Sequence, residues 1–283
     1  MVGGEDVSRV TEWMRPLGDR PAPPGIDISK ASIARVYDYV LDGKDHFAVD
    51  RAAAEAFLRV VPQARRIAHD NRSALRRGVR YLVREAGIRQ IIDIGSGLPT
   101  AGNVHEIAHE MDPTVRVIYV DKDPIVLAHG RALLADNATT TVITADLLEP
   151  DSIFDHPTVR NYIDDQEPFA VLACGILHHL NDDQDPAGIT ARIRERLPSG
   201  GYLHITNFLD DGDPRAPGIE KAFLEGGLGT GRFRTFAELR QYLDGLELVP
   251  PGLIRANDWR PDAETDTNSP VYDLYSAGMG RKP

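Results

Sequence analysis

The stretch Gln90-Ile91-Ile92-Asp93-Ile94-Gly95-Ser96-Gly97-Leu98-Pro99-Thr100 limits what this chain can fold into more than any other. Its isoleucine-rich start predicts a short buried strand, which Gly95-Ser96-Gly97 ends in a tight turn. Beyond the turn, Val104, Ile107, Ala108 and Met111 share one face of a helix predicted from Asn103. Strand, glycine turn and helix in that order open a Rossmann-type nucleotide site. Glycine lets the backbone turn sharply and approach a ligand with no Cβ between them. Free amides in the turn and at the helix start are then expected to meet polar or anionic groups.

A G-x-G turn alone is common, but its surroundings here are specific. Residues 115–120 predict a second strand ending in Asp121, roughly 25 residues past the turn, where a carboxylate can accept both hydroxyls of a ribose. Residues 141–144 predict a third strand, followed by Ala145-Asp146-Leu147. Three successive strands therefore carry an acid at or just past an end.

Upstream, residues 1–26 mix glycines, prolines and charges and predict a flexible tail. Ile33, Val36, Tyr37, Val40 and Leu41 then recur at helical spacing, with Ser29 or Ser32 as N-cap and an end near Gly43. Asp50 is expected to cap a second helix carrying Ala53, Ala56, Phe57 and Val60, stopped by Pro62. A third turns Ile67, Leu75, Val79 and Leu82 inward and runs to Glu85, with Gly87 as its C-terminal glycine. Its arginines, from Arg65 to Arg84, fall largely on the polar face and read as solvated. Residues 27–88 thus predict a strandless helical cap, too poor in large apolar residues to stand alone, packed on residues 89–283.

Those later residues alternate. Asp123-Pro124 is an N-cap with proline at the first helical position, leading a helix to about Ala135. A short helix and loop over 151–165, a strand over 168–174, a helix over 187–197 and a strand over 202–207 follow. Such alternation predicts right-handed crossovers and a parallel sheet covered on both faces. Thr235-Phe236-Ala237-Glu238 is a capping box, opening a helix that ends near Gly245. Residues 246–249 and 271–277 then predict two strands with no helix between, an antiparallel pair at the sheet edge.

Composition sets outer limits. A formal charge of −11 over 283 residues argues against general affinity for nucleic acid or anionic membranes. No run of 18 apolar residues predicts a membrane span, the N-terminus lacks a basic-then-apolar leader, and the expected compartment is the cytoplasm. Cys174 is the one cysteine, which rules out an intrachain disulfide or a cysteine-based zinc cluster. The nine histidines show no H-E-x-x-H spacing, and no metal site is expected. Oligomeric state is not legible.

Asp93-Ile94-Gly95-Ser96-Gly97 resembles the first motif of class I S-adenosylmethionine-dependent methyltransferases. More narrowly, the chain resembles an actinobacterial family of S-adenosylmethionine methyltransferases with unassigned substrates. The likeness rests on residues 34–39, Gly43-Lys44-Asp45, residues 93–106, Asp121-Lys122-Asp123-Pro124, Leu177-His178-His179 and residues 245–252. It departs at Asp42 and His46, where that pattern has glycine and asparagine. The fold it implies is α/β, a Rossmann-like doubly wound seven-stranded sheet with the last strand antiparallel, here under an N-terminal helical cap.

The resemblance also implies roles. Gly95, Ser96 and Gly97 would lie beneath the methionine part of S-adenosylmethionine, and Asp93 would orient the turn or receive the ammonium group. Asp121 would hold the ribose, Asp146 would accept from the adenine amino group, and Leu147 would pack on its ring. Gly175 and Ile176 would pass close to the sulfonium, and Arg72 is a candidate for the cofactor carboxylate. Tyr37, Gly43, Asn103 and Lys122 complete the candidate set. His178 and His179 are weak candidates for a catalytic base, because methyl transfer needs one only when the acceptor must lose a proton.

Plainer jobs are open to each. Asp93 can tie down a turn, Asp121 and Asp146 can cap helices, His178 and His179 can simply pack, and Asp123 reads as an N-cap. The implied function is methyl transfer to a small-molecule acceptor. The alternatives are an NAD(P)-dependent oxidoreductase, disfavoured by the missing third glycine of G-x-G-x-x-G, and a cofactor-binding regulator without turnover.

Overall fold

A computed structural model describes residues 26–99, 102–133 and 137–283. The predicted tail over residues 1–26 lies outside the described residues except for Ile26, as does Ala135, the predicted end of one helix.

Three helices come first, α1 (Ile33–Val40), α2 (Ala48–Val60) and α3 (Ala64–Arg84). Ser32 holds the N-cap position of α1 in extended backbone, yet its hydroxyl donates to Asp123 across the molecule instead of capping. Asp50 does not cap α2. It sits inside the first turn and reaches back to the amide of Phe47 at 2.8 Å, while also holding Arg35 Nε at 2.8 Å. Both ions are buried, and breaking such a pair strands a charge without water. Of the residues expected inward on α2, Phe57 is buried but Ala56 and Val60 are exposed, and Ala54 takes the inner position.

The alternation that follows is β1 (Gln90–Ile94), α4 (Val104–His109), β2 (Arg116–Asp121), α5 (Pro124–Leu133), β3 (Thr140–Thr144), α6 (Pro150–Phe154), α7 (Pro157–Tyr162), β4 (Ala170–Cys174), α8 (Pro186–Arg196) and β5 (Tyr202–Phe208). Next come α9 (Ala216–Glu225), α10 (Phe236–Gln241), β6 (Glu247–Leu248), β7 (Ile254–Arg255) and β8 (Tyr275–Arg281). The sheet runs β3-β2-β1-β4-β5-β8-β6, with the two-residue β7 also on β8. The first five strands are parallel, and β8 is antiparallel to β5, β6 and β7. The terminal antiparallel pair is therefore present, though β8 starts at Tyr275 where a strand from Val271 was expected. A 3-10 turn over Tyr272–Leu274 occupies the difference.

Strand alternation sorts the core onto two faces. Ile91, Val117 and Leu172 pack with Leu75, Val79 and Leu82 of α3, whereas Ile92, Ile118 and Val171 pack with Ile153, Ile193 and Leu239 on the other side. Each such buried Leu, Ile or Val contributes about 1.5–3 kcal/mol. That shared core is why the helical preface, poor in its own apolar residues, holds to the sheet. Asp93 and Asp121 lie two residues beyond Ile91 and Tyr119, so both face α3. The helix α9 was not anticipated. Pro217 in its first turn and the spacing of Ile219, Ala222 and Phe223 were its signals, blurred by Gly218. Among the described residues no helix is long and apolar enough to cross a membrane.

Candidate active site

A cavity of about 730 Å³ lies against the carboxyl ends of β1, β2, β4 and β5, where open parallel sheets place ligands. Gly95 and Gly97 bend the β1 turn with φ of 73° and 66°, in the left-handed region that favours glycine. A Cβ on Gly95 would stand 2.5 Å from the Ile176 side chain. The turn's amides are not free, contrary to expectation. Gly95 and Ser96 donate to Val120 O at 2.8 and 3.3 Å, and Gly97 donates to Asp121 Oδ2 at 2.9 Å. The cross-strand bonds that hold the turn against β2 consume them. The Ser96 hydroxyl, by contrast, is buried without a partner among the described residues.

Asp121 also accepts from the Asp123 amide through Oδ1 at 2.9 Å, so each of its oxygens already supports a loop. A carboxylate keeps further lone pairs after two such bonds. Burial pushes its pKa up, opposed by these amides. Asp93 is buried and its carboxylate forms no hydrogen bond with a described residue. Burial raises its pKa to about 7, Arg72 pulls it down and Asp121 pushes it up. Arg72 lines the cavity and donates to Gly102 O at 2.6 Å.

Leu147 is buried at the cavity wall, and Asp146 beside it accepts from the Leu148 amide at 3.0 Å, with the exposed Lys122 ammonium 3.8 Å away. Asp123 serves the N-terminus of α5, accepting from the Ile125 amide at 3.1 Å, as well as Ser32. Gly175 takes φ of 69°, and a Cβ there would lie 2.7 Å from Asn71 Nδ2. Tyr37 donates to Ala68 O at 3.3 Å and accepts from Asn71 Nδ2 at 2.9 Å, while Thr206 donates to Asn71 Oδ1 at 2.6 Å. The rings of His178 and His179 lie 4.2 Å apart between centroids with their planes tilted by 50°, and both line the cavity. Burial lowers both imidazole pKa values, that of His179 to about 4.

Two sequence candidates lie elsewhere. Gly43 packs so tightly on the buried Asp38 carboxylate that a Cβ would meet it at 2.0 Å, and it does not line the cavity. Asn103 begins α4, its amide donating to Glu106 at 2.7 Å, also outside the lining. The departures at Asp42 and His46 fit the same loop. Asp42 adopts φ of 59°, a conformation aspartate tolerates, and His46 Nδ1 lies 2.9 Å from Asp38 Oδ2. Sequence reasoning missed Asn71, Phe208, Phe223 and Tyr275, all in the lining. Asn71 carried a signal, since it interrupts the apolar stripe of α3 one turn before Leu75.

Comparison with known proteins agrees with this geometry. The model of the S-adenosyl methyltransferase family matches residues 19–283. A solved candidate methyltransferase from Thermobifida fusca YX is 44% identical, with a TM-score of 0.88 over 93% of this chain and 99% of its own. A DUF574 family protein from Streptomyces avermitilis MA-4680 is 39% identical, with a TM-score of 0.85 over 91% of this chain and 99% of its own. No curated protein matches the chain. A family match over nearly the whole length, on a sheet whose glycine turn and strand-end acids form one cavity, places this chain in the S-adenosyl methyltransferase family.

Proposed function

We propose that this enzyme methylates a small molecule held in the apolar part of the cavity, beside S-adenosylmethionine. The observation that carries the reading is the cavity's division. Asp93, Asp121 and Asp146 line one part, and Val36, Val40, Phe57, Phe208 and Phe223 line another. A pocket of this size suits small ligands, on the order of 300–1,000 Å³.

The residues present fit the cofactor. An Asp93 carboxylate and a Ser96 hydroxyl, both buried and without a hydrogen-bond partner among the described residues, and two positions closed to a Cβ make a cradle for polar groups. Asp93 would receive the ammonium, Arg72 the carboxylate, Asp121 the ribose hydroxyls and Asp146 the adenine amino group, with Leu147 against the ring. When bound, S-adenosylmethionine supplies an electrophilic methyl group on a sulfonium leaving group. The chain's own work is then alignment and exclusion of water. Tyr37, Asn71 and Arg72 bring the helical preface over the strand ends for that purpose, which supports the cap assigned to residues 27–88.

Calorimetry tests the reading: S-adenosylmethionine or S-adenosylhomocysteine should bind, and NAD much more weakly. Incubation of the enzyme with methyl-labelled cofactor and a metabolite extract should then label one small compound. Preference for NAD would refute the site assignment. Tight cofactor binding with no label transferred to any small molecule would favour the regulator instead.

A further inference from the structure

The part of the cavity away from the carboxylates has a chemistry of its own. It draws Phe57 from α2, Ile219 and Phe223 from α9, Phe208 from β5, Ile176, His178, His179 and Leu180 from the loop after β4, and residues 227–229. No residue in that group carries a carboxylate, ammonium or guanidinium. Its rings form a continuous wall. Phe57 meets Phe223 at 4.6 Å, Phe223 meets Phe208 at 5.6 Å, and Phe208 meets His178 at 4.3 Å. His179 stands 4.2 Å from His178 and 5.9 Å from Phe223.

The two imidazoles are the only titratable side chains in this wall, and neither has a hydrogen-bond partner among the described residues. Each neutral imidazole still carries one donor and one acceptor nitrogen, and leaving these unmet in a dry site is costly. Gly229 stands beside one of them, with His179 Nδ1 only 3.1 Å from where its Cβ would be. That nitrogen is itself buried and Nε2 is not, so Nε2 is the ring nitrogen a ligand can reach.

We infer that this chamber takes a flat, uncharged aromatic molecule bearing a hydroxyl group, and that His179 recognises the hydroxyl. The inference rests on the function proposed above and names its acceptor class. A planar ring gains edge and face contacts with the phenylalanines. A charged acceptor would lose its water against a wall that carries no charged group of its own, although Lys122 lies close enough to His179 to act on it electrostatically. A purely apolar one would fill the space but leave the imidazoles unmet. A hydroxyl both gives and accepts a hydrogen bond, so either tautomer of His179 can meet it. Burial keeps His179 neutral at physiological pH and so keeps its acceptor nitrogen available. In this assignment His179 is a specificity-determining residue for the acceptor.

The test uses the full chain saturated with S-adenosylhomocysteine, and 1-naphthol and naphthalene as matched probes. Calorimetry should show naphthol binding about tenfold tighter, the scale of one buried hydrogen bond. His179→Phe keeps an aromatic ring and should erase that preference without weakening S-adenosylhomocysteine. In the unaltered protein, nitrogen-15 spectra of the imidazoles should shift at His179 with naphthol and not with naphthalene, a readout that needs no variant. Equal binding of the two probes, or a preference that survives His179→Phe, overturns the assignment. The S-adenosylhomocysteine titration reads the underlying function separately. A protein that binds it yet fails to discriminate loses only the acceptor class, whereas one that cannot bind it loses both.

Discussion

The two parts of the cavity are built in opposite ways. The proposed cofactor side comes from consecutive strand ends, Asp93 to Gly97, Asp121 to Asp123 and Asp146 to Leu147, each a short strand-and-turn unit. The proposed acceptor side gathers Phe57, His179, Phe208, Ile219 and Phe223, residues from two helices, a strand and a loop far apart in the chain. On the first side, the wall follows from local backbone geometry repeated three times. On the second, it follows from which distant elements happen to pack together. Substitutions should therefore separate the two.

The largest effect is expected at the glycine turn. Gly95→Val places a β-branched residue at a φ of 73° and drives its Cβ into Ile176. S-adenosylhomocysteine affinity should fall by about 100-fold or more, from backbone strain and clash together. Calorimetry on protein shown to be folded by circular dichroism measures it. A loss below tenfold would mean that the turn is not where the cofactor sits.

Asp121→Ala comes next. It removes the proposed ribose acceptor together with the bond to the Gly97 amide. The expected loss is about 1.5–3 kcal/mol, or one to two factors of ten, the scale of hydrogen bonds to a charged group. Naphthol binding should be unaffected if the two sides are separable. Unchanged cofactor affinity in a folded variant would place the ribose elsewhere.

The smallest effect is on pH dependence. Burial holds the Asp93 carboxyl at a pKa of about 7 in the ligand-free protein, above its ordinary value. The folded state therefore keeps a proton that the unfolded state releases, and this group's contribution to stability falls as pH rises from about 4 through 7. A ligand ammonium needs the carboxylate, so cofactor affinity should rise from pH 6 to 7.5, by at most about tenfold per unit. Asp93→Asn should flatten that slope. A slope that persists in the variant assigns it to another group.

What the sequence determined by itself is the part written in local pattern. A short isoleucine-rich run, glycines at left-handed positions and acids at strand ends marked the sheet and the proposed cofactor side, because such units form largely from neighbours in the chain. Even there, local pattern misjudged partners. Asp50 looked like a cap and instead neutralises a buried arginine, and the turn amides looked free but bind a neighbouring strand. Only the tertiary structure decided the rest of the cavity wall. Asn71 is one polar residue on an apolar stripe until Tyr37 and Thr206, 34 residues before it and 135 after it, close on its amide. Phe223 lies on a helix that Gly218 obscured, and His179 gains meaning only when folding sets its half-buried ring in the cavity wall with no hydrogen-bond partner among the described residues. Packing selects such neighbours by shape and by exclusion of water, and neither is encoded at any fixed spacing along the chain.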